Sequence, residues 1–332
     1  MKRRWLLVSV ALSIATVLIW ASSRSWRAPS DPGSPSIPAP PPSSIPAPAL
    51  ALPEVLTVHE QEASAYHARL FAEEEDVVLV TPAGFTTIRP GQSAREHHVA
   101  LGPVVARQGE ALVFWRSGSL RELSLADGGE RKLAALPRPP RYLLASGGRL
   151  ACIDGDRERT SLQTLSGGDI RLVHETAHGI TAAAMRAADV YWVAQGRDDA
   201  WRIERIDLDG KHQLSSPAHH GRVPAMLAVG NDGVYFYDGP QRGVRRLTFD
   251  LERESSVLPG VVCSPVVVSN HVVCAQVGGL YDVPPSGAPP RFLASERAGP
   301  ITALALTPSR AFWVAENGAE KLLVRSVTIG GP

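Results

Sequence analysis

The sequence predicts an all-β, seven-bladed β-propeller, closed by an N-terminal strand that completes the last blade and preceded by a hydrophobic helix and a Pro-rich linker. Three observations lead to this fold class: a recurring apolar pattern, small-residue turns between strands, and a last repeat that is one strand short. The pattern occurs at Val77-Val78-Leu79, Leu112-Val113-Phe114, Leu150-Ala151-Cys152, Val190-Tyr191-Trp192, Val234-Tyr235-Phe236, Val272-Val273-Cys274 and Ala311-Phe312-Trp313. The third residues of successive copies lie 35, 38, 40, 44, 38 and 39 positions apart. A period of about 40 residues built from short strands is typical of propeller blades.

The fourth repeat gives the clearest view of one predicted blade. Ile180–Met185 and Asp189–Ala194 are apolar runs, as expected for inner strands that pack on both faces. Trp201–Leu208 alternates polar and apolar residues, which predicts a third strand. Asp209-Gly210 is a hairpin signal, and His212–Ser216 follows it as a short outer strand.

The last repeat has three predicted strands, of which the third is Lys321–Val327. A surplus strand, Glu54–His59, precedes the first inner strand at Tyr66–Ala72. A ring left open at this point would expose unpaired backbone groups on two strand edges. We therefore expect Glu54–His59 to pair with Lys321–Val327 and complete the seventh blade.

The N-terminal residues 1–27 are predicted to be a signal anchor or a signal peptide. Lys2-Arg3-Arg4 precedes an uncharged run of 19 residues, Trp5–Ser23, which is long enough to span a bilayer as a helix. The basic start is expected to remain in the cytoplasm, so that residues 5–23 contact the membrane. The small residues Ala21 and Ser23 leave cleavage of this segment open as an alternative.

Residues 28–53 are predicted to be a disordered linker, and residues 54–332 the propeller. Ten of the 26 linker positions are Pro, which favours an extended polyproline path. A membrane-crossing segment followed by such a spacer predicts a membrane-anchored domain outside the cytoplasm, in the periplasm or at the cell surface. If the N-terminal segment is cleaved, the domain is secreted.

The overall charge argues against a nucleic-acid partner. The chain has 34 Lys and Arg against 33 Asp and Glu, which gives a net charge of +1. Proteins that bind nucleic acid typically carry a marked basic excess, because they neutralise phosphates.

Cysteine positions leave one disulfide open. An exported domain permits disulfides, and Cys263 and Cys274 fall in the same repeat. A turn placed at Ser269-Asn270 pairs Cys274 with Pro265, which leaves Cys263 diagonal to it and too distant for easy bridging. We expect buried packing of these cysteines rather than a bridge.

Several segments resemble a known group of repeats. Gly233-Val234-Tyr235-Phe236-Tyr237-Asp238-Gly239 and Asp189-Val190-Tyr191-Trp192 resemble the Tyr-Trp-Thr-Asp propeller repeats and their TolB-like bacterial relatives. Leu280–Pro284, followed by Gly287-Ala288-Pro289, resembles the outer half of such repeats in bacterial envelope proteins. The resemblance covers about residues 54–330. It implies a propeller that binds partners outside the cytoplasm, and it carries over no catalytic residue. Those relatives often have six blades, whereas seven copies are present in this sequence.

One motif suggests metal chemistry. His174-Glu175-Thr176-Ala177-His178 matches the His-Glu-x-x-His pattern of zinc proteases, which requires a helix to bring both imidazoles to one face. The motif lies between a predicted outer strand, Ile170–Val173, and the inner strand that begins at Ile180, so we expect a loop. Accordingly no metal site, no cofactor and no catalytic residue is assigned.

Candidate ligand-binding residues follow from propeller topology. Connections from one blade to the next, and loops from second to third strands, emerge on the same face of the ring. The candidates in or beside them are His98, His178, His219, His220, Arg197, Asp198 and Asp238. Their mixed charges suit a protein or a polar ligand, although surface loops are commonly charged without a ligand.

These observations favour a non-enzymatic binding or scaffolding propeller held at the cell envelope, with an unknown ligand. The alternative is an extracytoplasmic lyase or hydrolase that uses the same loop-bearing face, because propellers host enzymes as well as binding proteins. A subunit of a membrane complex, with the N-terminal helix as a true partner, is a further possibility.

The predicted location can be tested with a fusion protein. Residues 1–53 fused to a reporter that is active only after export should give an active reporter, because the basic start and the uncharged run direct translocation. Reporter activity in whole cells is the measurement. A reporter that remains inactive and cytoplasmic would contradict the predicted location.

Overall fold

The computed structural model describes the propeller region of the chain with short gaps. The described residues are 54–62, 68–89, 92–102, 104–156, 158–196, 200–260, 262–263, 266–268, 271–276, 278–283, 289–317 and 321–329. The predicted signal segment and linker, residues 1–53, lie outside them.

In this part of the chain the strands form seven antiparallel sheets, one for each predicted repeat. Blade 1 consists of β2 (Arg69–Glu73), β3 (Asp76–Thr81), β4 (Gly84–Ile88) and β5 (Arg95–His97). Blade 2 consists of β6 (Val105–Gln108), β7 (Ala111–Arg116), β8 (Ser119–Ser124) and β9 (Glu130–Ala135). Blade 3 consists of β10 (Tyr142–Ser146), β11 (Arg149–Gly155), β12 (Thr160–Ser166) and β13 (Asp169–Thr176). Blade 4 consists of β14 (Gly179–Arg186), β15 (Asp189–Gln195), β16 (Ala200–Asp207), β17 (Gln213–Ser215) and β18 (His219–His220).

The remaining three blades complete the ring. Blade 5 consists of β19 (Leu227–Val229), β20 (Val234–Tyr237), β21 (Val244–Leu247) and β22 (Glu254–Leu258), with the short helix α1 (Gly239–Arg242) between β20 and β21. Blade 6 consists of β23 (Val266–Val268), β24 (Val272–Gln276), β25 (Gly279–Val283) and β26 (Arg291–Ser295), and blade 7 of β27 (Ile301–Leu306), β28 (Arg310–Asn317), β29 (Lys321–Thr328) and β1 (Leu56–Glu62). The innermost strand of the last blade, β27, contacts that of the first, β2. The prediction of a seven-bladed propeller is therefore confirmed.

The core is divided into seven apolar clusters, one between each pair of adjacent blades. The second strand of a blade contributes to two of them, because side chains alternate across a strand. In β3, Val77 and Leu79 face blade 7, whereas Val78 and Val80 face blade 2. This explains why the second strands are apolar at nearly every position.

The ring is closed as the sequence predicts. β1 pairs antiparallel with β29, from Leu56 opposite Ser326 to Glu62 opposite Lys321. The strand begins and ends a few residues later than expected, and it contains a bulge at Val58. The Val58 side chain packs into the apolar cluster between blades 7 and 1.

The expectation that Cys263 and Cys274 are unbridged is wrong. They form a disulfide, with Cα atoms 5.4 Å apart. Cys274 lies opposite Val266 rather than Pro265, and Cys263 precedes β23, in the connection from blade 5. The distance argument for diagonal positions within a ladder therefore does not apply. The third cysteine, Cys152, is free and buried, and burial raises the pKa of its thiol to about 12.

The outer part of blade 4 departs from the simple repeat. Its predicted outer strand is split into β17 and β18, both of which pair with β16. Between them, the backbone N–H of Ser216 donates to the carbonyl of Ile203 at 2.8 Å, and the Ser216 hydroxyl accepts from the N–H of Ile203 at 3.0 Å. Elsewhere the described helical structure is short: no helix among these residues is long and apolar enough to cross a membrane.

Ring closure can be tested by truncation. A chain that begins at Ala63 lacks β1 and should be markedly less stable than one that begins at Leu50, because it loses β1–β29 hydrogen bonds worth about 0.5–1.5 kcal/mol each. Thermal unfolding of the two chains is the measurement. Equal melting temperatures would mean that β1 does not stabilise the last blade.

Candidate functional site

Connections between blades and loops between second and third strands meet at one end of the strands, as the sequence predicts. We call this end the upper face; it includes 98–102, 177–178, 221–226 and 238–243. The five described candidate residues do not converge on it as one group. His98 follows blade 1, His178 lies between blades 3 and 4, and His219, His220 and Asp238 belong to blades 4 and 5. Arg197 and Asp198 lie outside the described residues.

A cavity of about 630 Å³ opens on the upper face between blades 3 and 4. It is lined by Arg141, Glu158, Ala177, Gly179, Ile180, Thr181, Gln195 and Gly196. The lining residues flank His178 on both sides and directly precede Arg197 in the sequence. The surface beside His178 is thus concave, although the His178 side chain is not part of the described lining.

Backbone contacts hold the cavity wall from blade 3. The backbone N–H of Arg141, just before β10, donates to the carbonyl of Ile153 at 2.7 Å. In the loop after β11, the Asp156 carboxylate accepts from the N–H groups of Glu158 and Arg159 at 2.7 and 2.9 Å. These hydrogen bonds lower the pKa of the Asp156 carboxyl and fix the loop that carries Glu158.

The opposite wall is tied to blade 3 through Tyr142. Its hydroxyl donates to the carbonyl of Thr181 at 2.7 Å, and the Arg141 guanidinium lies 5.6 Å from the Tyr142 ring centroid. The Thr181 hydroxyl donates to the carbonyl of Pro224 at 2.8 Å, which connects the wall to blade 5.

The lining carries two ionisable side chains of opposite sign, Arg141 and Glu158. Within the described residues neither has a salt-bridge partner, whereas the neighbouring Arg159 pairs with Glu175 at 2.7 Å. The amide of Gln195 adds a group that can both donate and accept hydrogen bonds. The lining therefore offers one cationic, one anionic and one neutral polar side chain.

The second group of candidates is packed between blades 4 and 5. The His219 ring stacks on Trp201 with centroids 4.3 Å apart and meets the edge of Phe236 at 6.0 Å. Asp238 is nearly buried and pairs with Arg242 at 3.1 Å. His219 and Asp238 thus have partners within the protein, while the adjacent His220 is exposed.

The zinc-protease motif is mostly in a strand rather than a loop. β13 continues to Thr176, opposite Thr160, so the predicted loop is reduced to residues 177–178. Glu175 accepts from Arg159, and the carbonyl of His178 accepts from the Thr160 hydroxyl at 2.9 Å. The helix on which the motif's zinc chemistry depends is not formed by these residues. No cluster of three or more potential metal ligands occurs in the described ranges.

One polar cluster was not expected from the sequence. The fully buried Asp282 in β25 accepts from Arg291 Nε at 2.7 Å and contacts His271 Nδ1 at 2.9 Å. These residues come from three neighbouring segments of blade 6, so only the strand register brings them together. The cluster joins the outer three strands of the blade.

The fold and the upper face define this chain as a seven-bladed β-propeller with a polar cavity on its loop-bearing end. No protein-family model matches the chain, and no curated protein matches it in sequence.

Solved structures with the same fold include the AfRom2 CNH domain, with 8% identity, a TM-score of 0.58, and coverage of 84% of this chain and 100% of that one. The Pan2 WD40 domain of Neurospora crassa has 12% identity and a TM-score of 0.59, and the match covers 83% of this chain and 96% of that domain. PorZ of Porphyromonas gingivalis is an essential bacterial surface component of the type-IX secretion system. It has 14% identity and a TM-score of 0.56, and the match covers 82% of this chain and 39% of the PorZ chain. At these identities the similarity establishes the fold alone.

The interpretation that His174 and His178 do not bind zinc can be tested directly. The purified protein should hold no stoichiometric zinc, and His178→Ala should lower the free energy of unfolding by no more than about 1 kcal/mol, because the His178 side chain is only half-buried. Metal analysis by mass spectrometry and denaturant unfolding are the measurements. Stoichiometric zinc that is lost in His178→Ala would contradict this interpretation.

Proposed function

We propose that this chain is a non-enzymatic binding propeller, held at the cell envelope, whose upper-face cavity between blades 3 and 4 takes a polar ligand with both charge signs. The observation that carries the proposal is that Arg141 and Glu158, two side chains of opposite charge, both line one cavity. A protein segment or a small zwitterionic molecule offers the complementary carboxylate and ammonium groups.

The size of the cavity supports this proposal. Its volume of about 630 Å³ lies within the range of small-molecule sites, about 300–1,000 Å³. Arginine binds a carboxylate through two parallel hydrogen bonds, and a carboxylate such as Glu158 accepts from an ammonium group. Ile180 and Ala177 add apolar surface for the part of the ligand between its charged ends.

The proposed location outside the cytoplasm has support from the disulfide as well as from the N-terminal sequence. Disulfides such as Cys263–Cys274 persist in oxidising compartments and are rare in the cytosol. PorZ, which shares the fold, is itself a bacterial surface component. The relationship to TolB-like bacterial propellers, and a membrane anchor at residues 5–23, are part of the same proposal.

A zwitterionic tripeptide, tri-alanine, tests the ligand class. Its binding to the full-length protein should be saturable, and N-acetylated and C-amidated forms should bind more weakly because each lacks one charge. Isothermal titration calorimetry gives the dissociation constants. Arg141→Gln should weaken binding of the free peptide but make amidation inconsequential, and Glu158→Gln should do the same for acetylation.

Arg138→Gln is the matched control, since Arg138 is exposed near the cavity in sequence but is not part of its lining. No saturable binding of tri-alanine, or equal affinities for all three peptide forms, would overturn the proposed ligand class. Cleavage of the peptide, detected by mass spectrometry, would favour the alternative of an extracytoplasmic hydrolase.

A further inference from the structure

Two blade interfaces contain the same pair of side chains. His59 on β1, the outer strand of blade 7, lies with its Nε2 3.7 Å from Glu96 on β5, the outer strand of blade 1. His219 on β18 of blade 4 lies with its Nδ1 3.8 Å from Glu254 on β22 of blade 5. The two imidazole side chains are only 10% and 9% exposed. The residues that flank His59 differ from those that flank His219, so the two interfaces share a histidine–glutamate pair but no sequence motif.

Burial favours the neutral form of both imidazoles. In each, Nε2 is buried and has no hydrogen-bond partner among the described residues. Burial lowers the pKa of His59 and of His219, because a charged ring would lose its hydration. Glu96 raises the pKa of His59 and Glu254 raises that of His219, but each effect is smaller than the lowering by burial.

Among the described residues, two groups interact electrostatically or by hydrogen bonding with the His59 ring. They are Glu96 on β5 and the side chain of Gln61 on β1, whose Oε1 accepts from the Thr86 hydroxyl of β4 at 3.2 Å. The next carboxylate along β1, Glu60, pairs with Lys321 of β29 at 2.9 Å. On β5, His97 lies on the other side of the strand from Glu96, where it stacks on Phe85.

His219 has more charged neighbours and firmer packing. Glu254 and Asp238 favour its protonated form, while Arg242 and Arg245 oppose it. Arg245 Nε lies 2.7 Å from Glu254, so this carboxylate is already paired. Stacking on Trp201 and the edge contact with Phe236 also restrain the ring.

The His59 interface is the more easily opened of the two. β1 completes a sheet whose other three strands are consecutive in the sequence, so its release leaves β27, β28 and β29 paired as they are. The bulge at Val58 allows both Val58 and His59 to face blade 1, so one strand carries the apolar and the titratable contact together.

We propose that β1 is an acid-responsive closure: protonation of His59 loosens its packing against blade 1, weakens the pairing of β1 with β29, and opens the seam between blades 7 and 1.

The direction of the effect follows from proton linkage. The unfolded or released His59 titrates at its ordinary pKa of 6.5, whereas the packed ring has a lower pKa. Stability from the packed neutral ring is therefore complete above pH 6.5 and is lost as the pH falls through the lower, packed-state pKa. The carboxyls of Asp127, Asp156, Asp207 and Asp250 have pKa values below their ordinary range, so they do not titrate in this window.

Amide hydrogen exchange of the full-length chain at about pH 7.5 and about pH 5.5 tests the proposal, after correction for intrinsic exchange rates. Peptides that cover Leu56–Glu62 and Lys321–Thr328 should lose protection several-fold at the lower pH, while Ala111–Arg116 in the second blade keeps its protection. His59→Gln, which cannot be protonated, should abolish the difference. Glu96→Gln should enlarge it, because it removes the charge that favours protonated His59 in the packed state.

His98→Gln is the matched control, since His98 is exposed and should leave the acid response unchanged. Equal protection of β1 at both pH values in the natural protein would overturn the proposal, and so would an unaltered acid response in His59→Gln. If His59→Gln does not fold, Glu96→Gln decides: a larger acid response supports the proposal, and an unchanged or smaller one overturns it.

Discussion

Burial of both faces of each second strand is the constraint on which the rest of this structure depends. A strand such as β3 sends alternate side chains into two different apolar clusters, so every blade is stabilised by both of its neighbours. Among the residues that the structure describes, every apolar cluster is shared by two blades, and the seven clusters become complete only when the ring is closed. An isolated strand pair or a partial ring would leave one face of its terminal blades in water, with unpaired edges.

This constraint is also what made the fold predictable. Apolar side chains are needed at nearly every position of the second strands, so the copies stand out from the sequence with regular spacing. Trp192 and Trp313 occupy equivalent positions and both are almost completely buried between blades. The pairing of β1 with β29 could be inferred because the sequence contains one extra strand at the start of the propeller and lacks the fourth strand of the last repeat. An unpaired strand edge needs a partner, so the two were expected to pair.

Features that depend on the relative position of neighbouring blades were not predictable. The disulfide was missed because Cys263 was expected within the strand ladder of blade 6, whereas it lies before β23, in the connection from blade 5. The extension of β13 to Thr176 depends on the length of its partner β12, which the local sequence around His174 does not reveal. The cavity wall combines Arg141 of blade 3 with Gln195 of blade 4, residues that come together only through packing. The spread of the candidate histidines over several blades has the same origin.

The bridge between Cys263 and Cys274 has a consequence for the order in which the ring assembles. It links residues only 11 positions apart, so it can form before the other blades have folded. The contact between Glu60 and Lys321 joins residues 261 positions apart, and the entropy lost in closing a loop grows with its length. The chain thus contains a local covalent link at the start of blade 6 and a strand pairing, between β1 and β29, that needs both ends of the propeller. We therefore expect β1 to pair only after the rest of the propeller has folded.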